Sequence, residues 1–246
     1  MHGTQLSSLP ESRSGLAQSQ QWLYEVRKDS PMTKALKEHW NTVYTSNPED
    51  QLGWYEAVPQ VSLDLIDHCA LAKNDPILDV GSGNTLLVDH LINQKYTNLL
   101  AVDISEVALE KMRSRLGREN ASHVQMLVDD ITAPAAVLNL RGIALWHDRA
   151  LLHFLIENQQ QETYRSVLEK VLSPGGNVII AAFAKDGADK CSGLDVHRHD
   201  ETSLANLLGE AFELKESIRY QYQMPSGAIR PYIYVRFRRR DQMERQ

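Results

Sequence analysis

An acid, two glycines and a second acid are spaced so that one small ligand could touch all four. Asp79-Val80-Gly81-Ser82-Gly83-Asn84-Thr85 follows a short apolar run, Ile77-Leu78, and leads into the helical stretch Thr85-Leu86-Leu87-Val88. A second apolar run, Leu99-Leu100-Ala101-Val102, ends on Asp103. A glycine loop between strand and helix lets a ligand lie against bare backbone at a helix N-terminus. An acid at the tip of the next strand, roughly twenty residues on, is placed to accept hydrogen bonds from a ribose diol. The chemistry this spacing points to is the binding of an adenosine-containing ligand.

Position 86 narrows the choice of ligand. A dinucleotide fingerprint needs Gly or Ala there, so that helix and strand pack closely and the pyrophosphate meets the helix end. This chain has Leu86, and no Gly-Lys-Ser/Thr follows to make a phosphate-binding loop. A loop shaped for adenosine but not for pyrophosphate suits S-adenosylmethionine. Asp79, Gly81 and Gly83 resemble the first motif of the class I S-adenosylmethionine-dependent methyltransferases, with Thr85 where a third glycine is usual. The ending Gly83-Asn84-Thr85 is familiar in a branch that includes some protein-lysine methyltransferases. The resemblance implies that Asp79, Gly81, Ser82, Gly83, Asp103 and Ile104 hold the cofactor. It also implies that Asp130, in Asp129-Asp130-Ile131-Thr132, accepts from the adenine amino group while the backbone at Ile131 reads the ring. An aspartate serving only a turn or cap is the alternative at Asp130.

The fourth apolar run ends in Trp146-His147-Asp148-Arg149. In methyltransferases this edge faces the reacting methyl group, so these three residues are the catalytic candidates. A sulfonium methyl is already activated, which leaves alignment and desolvation to the protein. A base is needed only where the nucleophile loses a proton, and His147 and Asp148 could take it. Arg149 could clamp an anion with its planar fork. A structural Asp148–Arg149 pair is the plainer alternative. Downstream, Ala184 to Leu194 is polar and holds two glycines, as a lid loop would, and His197-Arg198-His199 follows. The order Trp-His-Asp-Arg-Ala, Phe-Ala-x-Asp-Gly, Cys-Ser-Gly-Leu resembles a small, largely bacterial methyltransferase subfamily from about Glu38 to Arg239. Cys191 and His197 are thereby candidate substrate contacts, with a packed thiol as the alternative for Cys191. In relatives the segment from His39-Trp40 through Trp54-Tyr55 covers the cofactor. Trp54 and Tyr55 could hold a cationic amine by cation–π contact or simply pack. No pair among His147, His153, Cys191, His197 and His199 has strong zinc spacing, and no metal is expected.

These residues need a scaffold that brings strand ends together. Apolar runs at 77–80, 99–102, 124–128, 142–146 and 177–183 alternate with helical patterns. That alternation predicts a doubly wound, Rossmann-like α/β sheet of seven strands, mostly parallel, closed by a C-terminal antiparallel hairpin over 212–221 and 232–237. Ser105 should cap the helix after Asp103, and Gly117 should end it. Residues 32–240 form the expected domain. Residues 1–31, rich in Ser, Gln and Gly, read as a disordered or weakly docked extension, with Met32 as an alternative start, and 241–246 as a tail. A net charge of −6 offers no long-range attraction to nucleic acid or anionic membrane. Arg236, Arg238, Arg239 and Arg240 read as a solvated strand edge. Two cysteines do not make a disulfide framework, which fits the cytoplasm. The expected activity is methyl transfer from S-adenosylmethionine to a small-molecule acceptor. A protein-lysine methyltransferase and a non-catalytic cofactor-binding module are the alternatives.

Overall fold

The computed structural model describes residues 31–241. The expected extension and tail fall outside these residues, apart from Pro31 and Asp241. Strands β1 (Ile77–Val80), β2 (Leu99–Asp103), β3 (Val124–Val128), β4 (Ile143–Arg149) and β5 (Leu172–Phe183) pair in parallel. A two-stranded ribbon, β6 (Lys190–Cys191) and β7 (Leu194–Asp195), stands apart. Strands β8 (Phe212–Gln223) and β9 (Ile229–Arg239) form the antiparallel hairpin, and β9 also pairs antiparallel with β5. The seven-stranded order is β3-β2-β1-β4-β5-β9-β8.

Helices α1 (Pro31–Ser46), α2 (Gln60–Asp67), α3 (Leu87–Asn93), α4 (Glu106–Ala121), α5 (Asn158–Val171) and α6 (Glu201–Leu208) cover the sheet. Alternate residues of each strand feed two cores. Leu78, Val80, Trp146 and Ile180 pack with Tyr164, Val167 and Leu168 of α5. Ile77, Leu145 and Ile179 pack with Leu63, Ile66, Leu87 and Met112. Burial on both faces explains why the central strands are apolar runs and not alternating patterns. Among the described residues no helix is long and apolar enough to cross a membrane.

Strand boundaries differ from those expected, for physical reasons. Strand β4 runs on through His147, Asp148 and Arg149, because its ladders continue: Asp79 faces His147, Val80 faces Asp148 and Arg149 faces Ala181. Polar residues at a strand end look like a loop in sequence, yet here they stay in the sheet and alternate faces. Gly117 ends the main run of α4, as expected: at φ 70° and ψ 172° its backbone is not helical, and a short further turn lies beyond the kink, up to Ala121. Strand β5 begins at Leu172, ahead of the expected 177, and Ser173-Pro174-Gly175-Gly176 form an irregular stretch where the β4–β5 register shifts between Ile143/Leu172 and Leu145/Asn177.

Candidate active site

The glycine turn is shaped by the residues that press on it. Gly81 and Gly83 have φ of 65° and 56°, where a side chain strains the backbone. A Cβ on Gly81 would run into Leu151, and one on Gly83 into the Tyr44 hydroxyl. The loop is tied to the next strand by Asp103. Its Oδ2 accepts from the Gly83 N–H at 2.8 Å and its Oδ1 from the Ser105 N–H at 2.7 Å. Each oxygen keeps a lone pair for a ligand. Burial pushes the Asp103 carboxyl up to about 6, against the pull of those N–H groups.

Asp130 serves both a turn and the helix above it. Its Oδ1 accepts from the N–H and hydroxyl of Thr132 at 2.8 and 2.7 Å, and its Oδ2 from Thr33 Oγ1 of α1 at 3.0 Å. Asp129 caps the following segment by accepting from Ala135 and Val137 N–H groups at 2.9 Å. Asp103, Ile104, Asp130, Ile131 and Gly81 all line one cleft of about 820 Å³, counted to its open mouth.

The three residues at the end of β4 part company. His147 is buried; its Nδ1 donates to Asp79 Oδ1 at 2.6 Å and its Nε2 bonds Ser62 Oγ at 2.9 Å. It lines a narrow side chamber of about 20 Å³, together with Glu56, Ser62, Asp79, Ser82 and Arg149, and does not line the cleft. Arg149 lines both. Asp148 lines neither. It points to the α5 face, where its carboxylate accepts from the N–H groups of Leu151 (3.0 Å) and Leu152 (3.3 Å) and from the Tyr164 hydroxyl (2.8 Å). Burial raises its carboxyl to about 6. A strand's alternation of faces accounts for the split, and the expected placement of Asp148 at the acceptor edge is corrected accordingly. The alternative reading, a structural Asp148–Arg149 pair, is not formed either: the ion partner of Arg149 is Glu56, at 3.0 Å.

Helix α1 roofs the cleft. Leu36, Trp40 and Tyr44 recur at i, i+4, i+8 on its inner face. Trp40 meets Trp54 and Phe154 edge-on at 5.9 and 5.0 Å between ring centroids, and Tyr44 meets Trp54 at 5.8 Å. The loop carrying Trp54 is held by its backbone: the carbonyls of Trp54, Tyr55 and Ala57 bond Arg149 Nη1 (2.8 Å), Tyr222 OH (2.6 Å) and His90 Nε2 (2.9 Å). Tyr55 packs beside the roof but does not line the cleft. Cys191 of the ribbon does line it, buried and accepting from Arg230 Nη1 at 3.4 Å. Burial pushes its thiol pKa up, with Arg230 opposing. His197 is exposed, stacks on His199 at 4.6 Å and lies outside the cleft. Tyr44, Phe154 and Leu151 are lining residues that the sequence reading did not single out. The 36–40–44 spacing was the available signal for Tyr44.

Several buried polar atoms around the glycine turn have no partner among the described residues: Asp79 Oδ2, Ser82 Oγ and Asn84 Nδ2. With the spare lone pairs of Asp103 and the apolar walls at Ile104, Ile131 and Leu151, they suit an adenosine ligand with a charged tail.

The sequence matches a family described as "Methyltransferase domain" over residues 71–230, and the chain belongs to that family of enzymes. The zebrafish (Danio rerio) "EEF1A lysine methyltransferase 2" is 25% identical over 167 residues, 62% of this chain and 70% of that protein. A SAM-dependent methyltransferase from Anabaena variabilis superposes with a TM-score of 0.67 at 17% identity, covering 86% of this chain and 96% of the other. The Burkholderia thailandensis 1,6-didemethyltoxoflavin-N1-methyltransferase, solved with its substrate and S-adenosylhomocysteine, gives 0.57 at 19% identity over 96% and 94% of the chains. These solved structures share the seven-stranded, Rossmann-like fold.

Proposed function

We propose that this methyltransferase acts on a small molecule enclosed with the cofactor beneath α1. S-adenosylmethionine is the methyl donor, and when bound it supplies an electrophilic methyl group on sulfur. Asp103 accepts from its ribose hydroxyls, and Asp130 and Ile131 read its adenine. Gly81, Ser82, Gly83 and Asp79 take the methionine end. His147 acts behind Asp79, fixing the carboxylate's orientation through Nδ1, and is itself anchored by Ser62. Trp54, Cys191 and Arg149 border the acceptor. Asp148 holds the turn after β4 and takes no part in the chemistry. Catalysis on this reading is alignment and exclusion of water beneath a roof of aromatic rings.

The observation that carries the small-molecule reading is the roof itself, Trp40, Tyr44 and Trp54 over a cleft whose wall includes buried Cys191. The second reading, methylation of a protein lysine, is favoured by the curated zebrafish relative. Incubation with methyl-labelled cofactor and a cell extract, followed by separation into small-molecule and protein fractions, tests both. Label in the small-molecule fraction is the expected result. Label confined to protein bands refutes it in favour of the lysine reading.

A further inference from the structure

Arg149 has more bonding capacity than its surroundings use. Its side chain is only 6% exposed. Nε donates to the Tyr234 hydroxyl at 2.9 Å and lies 3.0 Å from Glu56 Oε2, and Nη1 donates to the Trp54 carbonyl at 2.8 Å. The rings of Tyr222 and Tyr232 lie 5.2 and 5.4 Å from Cζ. Nη2 is buried with no partner among the described residues. Leaving a buried donor of a charged group unpaired is costly, and a guanidinium fixed this firmly loses little further entropy when a ligand takes the vacant position.

Charge and position indicate what the ligand is. Among the described residues that line the cleft and chamber, Arg149 is the one Lys or Arg, while Asp79, Asp103, Asp129, Asp130 and Glu56 are acids. The acids suit the net positive cofactor; the guanidinium suits an anion. In the order β3-β2-β1-β4, Arg149 stands three strands from Asp130 and one beyond the glycine turn. At about 4.8 Å per strand, that is about 14 Å from the adenine end. Glu56 already offsets one unit of charge at Arg149, so a monoanion is accommodated where a phosphate dianion would be set against Glu56 and Asp79. Both N–H groups of Nη2 are left to donate to a carboxylate.

We infer that the methyl acceptor carries a carboxylate, and that Arg149 is the specificity-determining residue that holds it through Nη2. The inference rests on the small-molecule reading above. The full chain, saturated with S-adenosylhomocysteine, is titrated calorimetrically with benzoate, phenylacetate, indole-3-acetate and butyrate, and with the matching primary amides. At least one acid is expected to bind about tenfold or more tightly than its amide, the usual scale for a charged hydrogen bond. Arg149→Gln should erase that preference while S-adenosylhomocysteine affinity stays within about threefold. Glu56→Gln, which removes the competing anion, should tighten acid binding. Equal binding of acids and amides, or binding of neither, overturns the inference. So does a loss of S-adenosylhomocysteine affinity in Arg149→Gln comparable to the loss of acid binding, because the anion is then the cofactor's own carboxylate. Should Arg149→Gln not fold, Glu56→Gln decides, and unchanged acid affinity refutes the assignment. Label recovered only in neutral or basic small molecules overturns this inference and leaves the small-molecule reading standing. Label confined to protein removes that reading itself.

Discussion

Acidification should weaken cofactor binding through a single carboxyl. Asp103 is the group whose oxygens are divided between the glycine turn, the start of α4 and, on the proposed reading, the ribose. Its pKa in the free protein is about 6, because burial outweighs the two N–H bonds it accepts. At pH 7 about nine-tenths of the protein then carries the charged acceptor, and at pH 5 about one-tenth. If the ribose needs the carboxylate, apparent affinity for S-adenosylhomocysteine falls about tenfold between these values, or about 1.4 kcal/mol. Asp103→Asn should lose both the affinity and its pH dependence. An amide offers one acceptor oxygen, and its NH2 must face either the Gly83 or the Ser105 N–H, donor against donor. The expected cost at pH 7 is about 1–3 kcal/mol. Titration calorimetry at pH 5, 6, 7 and 8 on both proteins measures this. A wild-type affinity flat across that range, or an Asn variant that binds as tightly as wild type at pH 7, would refute the assignment of Asp103 to the cofactor.

Three other outcomes follow from the same geometry. Asp148 has a folded pKa of about 6, above the roughly 3.9 of a free aspartate, so the native state binds the extra proton and stability gains as pH falls from about 6 to about 4; thermal melts should show that gain shrinking in Asp148→Asn, with kcat kept within about twofold of wild type, and a collapse of kcat would return Asp148 to the chemistry. His147→Ala should leave Asp79 Oδ1 buried and unpaired, lowering both folding stability and S-adenosylhomocysteine affinity by about 1–3 kcal/mol; loss of turnover with affinity untouched would instead mark His147 as a proton-transfer group. Gly83→Ala should weaken cofactor binding, and Tyr44→Phe in the same chain should restore part of it, because the hydroxyl is the colliding atom; strictly additive effects in the double-mutant cycle would show that the two do not meet.

The cofactor side of the site was legible because its signals are local. Gly81, Gly83 and Asp103 are fixed by one strand–turn–helix–strand unit, and their spacing carries the geometry. Asp130 could be placed only through likeness to known methyltransferases, since an aspartate after a strand caps turns just as often, and here it also bonds Thr132 and Thr33. The acceptor side was harder to read. Whether His147, Asp148 and Arg149 lie in a loop or a strand depends on ladders to β1 and β5, and those depend on residues far away in the chain. Once they lie in a strand, alternate facing sends Asp148 to α5 and leaves Arg149 at the cleft. Tyr55 and His197 were proposed from likeness to relatives and from side-chain type, but accessibility is set by how α1 and the β6–β7 ribbon dock, which a local pattern does not encode. At Gly117 the local signal held: the glycine takes a positive φ and breaks the helix, and an exposed turn follows it.

The loop beneath the roof is fastened by its carbonyls, at Trp54, Tyr55 and Ala57, together with the Glu56 carboxylate that pairs with Arg149. A carbonyl is present whatever residue occupies the position. The side chains at 54 and 55 can therefore be exchanged while the loop keeps its course, and the anchors that hold it, Arg149, Tyr222 and His90, lie on other elements. Evolution acting on this chain has one such position on the cleft wall itself, 54, and a second, 55, that acts only through the packing behind it. A library randomised at 54 and 55 with those three anchors held constant is the economical way to redirect the enzyme toward new acceptors.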